Sequence, residues 1–147
     1  MIELASVTVR PEKRLVCVVK AGLHALCDEL GFDEKRRFKL ELGAEEVFCY
    51  CAGTIREAGS NAPVTVRFFS GGDAFMIVLE YAGERGELDQ YLKPGKLDRM
   101  RIKTFEALGL CLAANVLDGL RSDYLPAEGR NRYILTYRCP DCRPVKD

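Results

Sequence analysis

The run "VTVRFFSGGDAFMIVLEYAG", from Val64 to Gly83, does most to limit the fold. Two stretches rich in β-branched and aromatic residues flank "SGGD", so the pattern predicts a β-hairpin with a tight turn. A lone hairpin is marginal in water, and it needs a second layer against one face. The rest of the chain supplies candidates for that layer and for more strands.

"ELASVTVRP" alternates apolar and polar positions and reads as a first strand. Pro11 suits the first turn of a helix. Leu15, Val19, Leu23, Leu26 and Leu30 then recur at helical spacing, which predicts a helix over Arg14 to Leu30. Gly31 is placed to stop it, and Asp33 to cap the next. Phe38, Leu42, Val47, Phe48, Cys51 and Ile55 give that second helix, Glu34 to Ile55, a wide apolar surface and a central place. "TFEALGLCLAANVLDGL" predicts a third helix, Thr104 to Leu120. "SDYLP" and "RYILTYR", joined by a turn at "AEGRN", predict a closing hairpin. Between the first hairpin and the third helix, Glu84 to Lys103 is densely charged with both signs. It reads as a long loop with a short helix around "LDQYL", of the kind that forms lids or partner surfaces. The order β-α-α-β-β-loop-α-β-β indicates an α+β two-layer sandwich, a mostly antiparallel mixed sheet with helices on one face. One domain spans residues 1–138, and "CPDCRPVKD" (139–147) is a short C-terminal tail.

The 147 residues carry a formal net charge of +0 and no basic stripe, which argues against a nucleic-acid partner. No apolar run approaches the ~20 residues of a membrane span. "MIELASVTVR" lacks the charged start and apolar core of a signal peptide, so the cytoplasm is the expected compartment. The seven cysteines are an odd number, against a secreted disulfide framework. Cys17, Cys27, Cys49, Cys51 and Cys111 fall in helical patterns and read as small buried hydrophobes. Cys139 and Cys142 form half of a zinc site or a redox pair outside its usual context, and the tail is expected to matter little to the fold. His24 is the only histidine, and no metal site is expected.

Within "LELGAEEVFCYCAGTI", Glu46 and Tyr50 are four apart and share a helix face, with Gly43 and Gly53 close to it. Glycine costs about 1 kcal/mol against alanine inside a helix, so the stripe suggests that something approaches closely. Taken singly, these residues have plainer readings. Glu46 beside Glu45 is a solvated charge, Tyr50 and Tyr81 are core-edge aromatics, and Gly109 permits close helix packing.

The element order and a few motif letters resemble the Bergerat ATP-binding fold of histidine kinases, gyrase and ninety-kilodalton heat-shock chaperones. Within it, the chain from Ile2 to Arg138 is most similar to the anti-sigma factor serine/threonine kinases. In that family a helix carries Glu-x-x-x-Asn. Glu46 matches the catalytic glutamate, and Tyr50 stands at the magnesium-holding asparagine. The resemblance thus places Gly43 and Gly53 along the pocket side. Asp-x-Gly-x-Gly corresponds to "YAGERG", with Tyr81 at the adenine-reading aspartate, Gly83 at the first glycine, and Arg85 or Gly86 at the second. Gly-x-Gly-Leu-Gly-Leu corresponds to "FEALGLCL", which keeps Leu108, Gly109 and Leu110 but has Phe105 and Ala107 upstream. Arg130 and Asn131 stand where the family often has Gly-Thr.

The resemblance implies a degenerate regulator of bacterial transcription or stress signalling. It would act by protein–protein binding, with no cofactor. The alternative it implies is an active kinase using ATP and magnesium, with Glu46 catalytic, that phosphorylates an anti-sigma antagonist. The implied partner is a sigma factor or its antagonist, and the family also forms homodimers. Leu88, Tyr91 and Leu92 in the charged loop form an expected partner-binding cluster.

Overall fold

A computed structural model describes residues 1–86 and 105–140 of the chain. Strand β1 (Ile2–Val9) leads through one turn of 3-10 helix (Lys13–Leu15) into α1 (Val16–Glu29) and α2 (Glu34–Glu57). The hairpin β2 (Val64–Gly71) and β3 (Ala74–Ala82) follows, then α3 (Phe105–Val116), β4 (Gly119–Leu125) and β5 (Arg130–Arg138). The three expected long helices and the five expected strands are therefore present, with shifts at their ends, and the short helix expected around "LDQYL" lies outside the described residues.

The first shift is at α1, where Arg14 and Leu15 belong to the 3-10 turn rather than to the helix. The second is larger. The helix expected to reach Leu120 stops at Val116, and Gly119 and Leu120 are already in β4. Val116, Leu117 and Leu120 fit helical spacing equally well, so periodicity is blind here. The sheet decides the boundary. The Asp118 amide donates to the carbonyl of Thr136 at 3.0 Å, and the Asp118 carboxylate accepts from the Arg138 amide at 2.6 Å. The other helix signals hold. Gly31 adopts a φ of 71° at the end of α1, where the Phe32 amide reaches back to the Cys27 carbonyl. The Asp33 carboxylate accepts from the Arg36 amide at 2.8 Å and caps α2.

The described strands form a five-stranded sheet in the order β1-β2-β3-β5-β4. Each neighbouring pair is antiparallel, where a mixed sheet was expected. β2–β3 and β4–β5 are hairpins, and α1 and α2 lie between β1 and β2.

The three helices pack against this sheet. Alternation shows which face they cover. Val64, Val66 and Phe68 of β2, Phe75, Ile77, Leu79 and Tyr81 of β3, and Tyr133 and Leu135 of β5 belong to one core with Val47, Phe48, Cys51 and Ile55 of α2. Val78 and Ile134 are also buried but lie outside that core, because they point the other way. Helix α2 is central, as its apolar surface predicts, though Phe38 is 64% exposed. The α1–α2 seam is bridged by Lys20 to Glu45 and His24 to Glu41, both at 3.3 Å.

The cysteines divide. Cys27, Cys51 and Cys111 are buried and outside any disulfide, and burial pushes the Cys27 thiol up to about 12. Cys17 is exposed and Cys49 half-buried, against expectation. Cys139 is fully buried and disulfide-bonded, and its amide donates to the Asp73 carbonyl. Cys142 lies outside the described residues.

Candidate functional site

Helix α2 brings Glu46 and Tyr50 to the same side, one turn apart, and each meets a different element. Gly109 of α3 lies under Glu46. A Cβ built on Gly109 would run into the Glu46 carboxylate, so the bare backbone there is what admits the side chain. Gly43 repeats the device one turn earlier, where a Cβ would sit 2.8 Å from Leu117 Cδ1. The glycine stripe is therefore partly explained by helix α3 and the residue after it. Gly53 lies at the other end of α2, lining a shallow cleft with Glu12, Lys13, Arg14, Arg56 and Glu57. The two glycines do not border one pocket.

Burial raises the Glu46 carboxyl above the usual range, and the charge on Glu45 adds to the rise. Leu108, next to Gly109, is 46% exposed. Of Phe105 and Ala107 only the helical backbone is described.

Tyr50 turns toward the sheet. Its ring meets Tyr133 edge-on, with centroids 5.7 Å apart at 80°. Tyr81 of β3 lies nearly parallel to Tyr133 at 6.4 Å. All three are buried. Tyr133 went unnoticed in the sequence, yet the signal was there. It stands two residues beyond Asn131, on the same face of β5, beside the strand that carries Tyr81.

Tyr81 and Asn131 pair directly across β3 and β5. Asn131 is buried, and its side-chain amide is used at both ends. Nδ2 donates to the Glu84 carbonyl at 2.8 Å, and Oδ1 accepts from the Gly86 amide at 3.0 Å. The Gly83 amide donates to the Gly129 carbonyl at 2.9 Å, and Tyr124 donates to the Gly83 carbonyl at 3.3 Å. The chain after β3 is thus tied down over the tyrosines. Gly86 is where it comes closest. A Cβ there would lie 3.0 Å from the Tyr133 hydroxyl and 3.7 Å from that of Tyr50.

Tyr50, Tyr81, Gly83 and Asn131 are therefore gathered into one cluster, joined by Tyr133 and Gly86. Glu46 and Gly109 form a second contact one helical turn away. Leu88, Tyr91 and Leu92 lie outside the described residues.

The resemblance implies Mg-ATP at this place, and the side chains present do not fit it. Magnesium takes hard oxygen ligands in tight octahedral geometry. Tyr50 offers a phenol whose ring is packed against Tyr133. At Tyr81 a phenol replaces the carboxylate acceptor that would read an adenine amino group.

No protein family and no curated protein matches the chain. Among the described residues no helix is long and apolar enough to cross a membrane.

Proposed function

We propose that the chain is a degenerate relative of the anti-sigma factor kinases that works by binding a protein in the cytoplasm, not by transferring phosphate. One observation carries this reading. The space between α2, β3 and β5, where the resemblance would seat a nucleotide, is filled by Tyr50, Tyr81 and Tyr133 under the Gly83–Gly86 segment that Asn131 fastens. A site built around polar anchors loses affinity steeply when those anchors are replaced. The fold is then kept as a scaffold for surfaces. A sigma factor or its antagonist is the partner class, and a homodimer is compatible with it.

The active kinase is the second reading, and Glu46 is what favours it. A half-buried carboxylate whose proton affinity is raised by burial is a stronger base toward a substrate hydroxyl. Calorimetric titration with Mg-ATP separates the two. The degenerate reading expects no binding tighter than millimolar. Micromolar affinity that depends on magnesium, with phosphate transfer lost in Glu46→Gln, establishes the kinase instead.

A further inference from the structure

The face of the sheet turned away from the helices has an organisation of its own. Glu80 of β3 is buried at its centre, with only 9% of its side chain exposed. Three arginines surround it. Arg132 donates from Nε to Glu80 Oε1 at 2.9 Å. Arg130 Nε is 3.6 Å from Oε2, and Arg67 Nη1 is 3.7 Å from Oε1. Arg67 is already engaged elsewhere. It grips Glu3 through Nη2 at 2.7 Å and Nε at 3.3 Å, and its guanidinium lies over the Phe69 ring at 5.2 Å. That grip holds the Glu3 carboxyl below its usual range.

Arg130 and Arg132 are different. Among the described residues, the Arg130 guanidinium makes no polar contact shorter than its 3.6 Å pair, and Arg132 donates to Glu80 from Nε alone. Their side chains are 30% and 31% exposed, so both guanidinium groups keep access to solvent while Glu80 is paired with their Nε atoms. One buried carboxylate orients two forks it does not saturate. Such forks match carboxylates in bidentate geometry. Along β5 the same face continues with Ile134, which pairs with Val78 of β3, and both are buried without belonging to the helix-covered core. Phe69 and Met76, paired across β2 and β3, extend this apolar strip.

We infer that the face of the sheet that no described helix covers is a docking surface for an extended acidic segment of a partner protein, with carboxylates on Arg130 and Arg132 and an apolar side chain on Ile134 and Val78. Arg130, Arg132 and Ile134 are spaced two apart on one strand, about 7 Å per step. An extended segment of the pattern acidic-x-acidic-x-apolar presents matching groups at the same interval. Nucleic acid is disfavoured. A phosphate backbone would leave the apolar strip of Ile134, Val78, Phe69 and Met76 unused. The inference stands on this face alone and does not depend on the nucleotide pocket or the family resemblance.

The test is to titrate isotope-labelled protein with a fluorescein-labelled Glu-Ser-Glu-Ser-Val peptide, following amide shifts and anisotropy. Shifts are expected at Val78, Arg130, Arg132 and Ile134. Affinity should fall about tenfold in Arg130→Gln, the loss of roughly one charge-assisted pair. The Gln-Ser-Gln-Ser-Val peptide should bind more weakly. Arg130→Lys keeps the charge without the fork and should bind between parent and Arg130→Gln, which controls for folding. Any of four results overturns the inference. These are no shift on this face at millimolar peptide, equal binding of the glutamine peptide, preference for a single-stranded oligonucleotide, or a concentration-dependent dimer that buries the same residues.

Discussion

The two faces of the sheet bury their side chains by different means, and the helix-covered face buries many more of them. On the helix-covered face, Phe68, Phe75, Ile77, Leu79 and Tyr133 are enclosed by other apolar groups and belong to one core. On the opposite face, Val78 and Ile134 are 5% and 7% exposed, yet no described helix lies over them. Arg67 pairs with Val78 and Arg132 stands two residues from Ile134, and stems of this kind can lie along apolar neighbours. The first kind of burial is fixed by the fold. The second can be opened by a partner where the neighbouring charged side chain is not pinned on several sides, as at Arg132 in contrast to Arg67, which Glu3 grips. Low exposure alone therefore does not mark a core.

Truncation should separate the faces most strongly. Phe75→Ala empties a fully buried position and removes an edge-on contact with Phe32, whose centroid is 5.7 Å away. A loss of about 3–5 kcal/mol is expected by urea denaturation. Ile134→Ala should lose about 2 kcal/mol or less, since flexible neighbours can fill the space. Equal losses would mean that the open face is core after all.

Polar truncation sharpens the same contrast. Asn131→Ala on the covered face strands the Gly86 amide and the Glu84 carbonyl, and should cost about 2 kcal/mol. Hydrogen exchange at Gly86 should rise with it. Glu80→Gln on the open face keeps the shape and one acceptor, and water can reach the arginines. About 1 kcal/mol is expected there. A larger loss for Glu80→Gln would show that its arginines are sealed in rather than presented.

The sequence carried the covered face well and the open face hardly at all. Strand alternation, the Gly31 stop and the Asp33 cap are local signals, and local signals survive without tertiary knowledge. Glu80, Arg130 and Arg132 lie far apart in sequence and meet only through the β3–β5 register. The end of α3 was illegible for a related reason, because pairing of Asp118 with β5 overrides a helical pattern that Leu117 and Leu120 continue. In the candidate site, Glu46, Tyr50, Tyr81 and Asn131 could be named from motif positions, but Tyr133 and the Gly86 contact needed the register too. The glycine stripe was noticed, while its occupant, Leu117 at Gly43, was not.

The helix layer over the covered face offers a further check. Gly109→Ala sets a methyl against the Glu46 carboxylate. The carboxylate is the far end of a flexible side chain, so the expected loss is modest, about 1–2 kcal/mol. Glu46→Ala in the same protein should restore most of it, which calorimetric melting can read as a coupling between the two sites.

The smallest effect expected is the pH dependence that Glu46 imposes. Burial, then the charge on Glu45, raises its folded-state pKa above the unfolded value of about 4.3. Between the two values the native state binds more protons than the unfolded chain. Stability contributed by the protonated carboxyl is therefore full below the unfolded pKa and lost as pH rises through the folded one. The open face has the opposite tendency at Glu3, whose lowered pKa favours the native state as pH rises past the unfolded value. Glu46→Gln is permanently neutral and keeps its shape. It should flatten the slope just above the unfolded carboxylate range and leave the protein more stable at neutral pH, by about 0.5 kcal/mol after allowance for solvent screening. Urea midpoints for parent and Glu46→Gln at pH values on either side of that range measure it. Parallel curves would mean that Glu46 titrates alike in both states, and that its contact with Gly109 leaves the carboxylate in water.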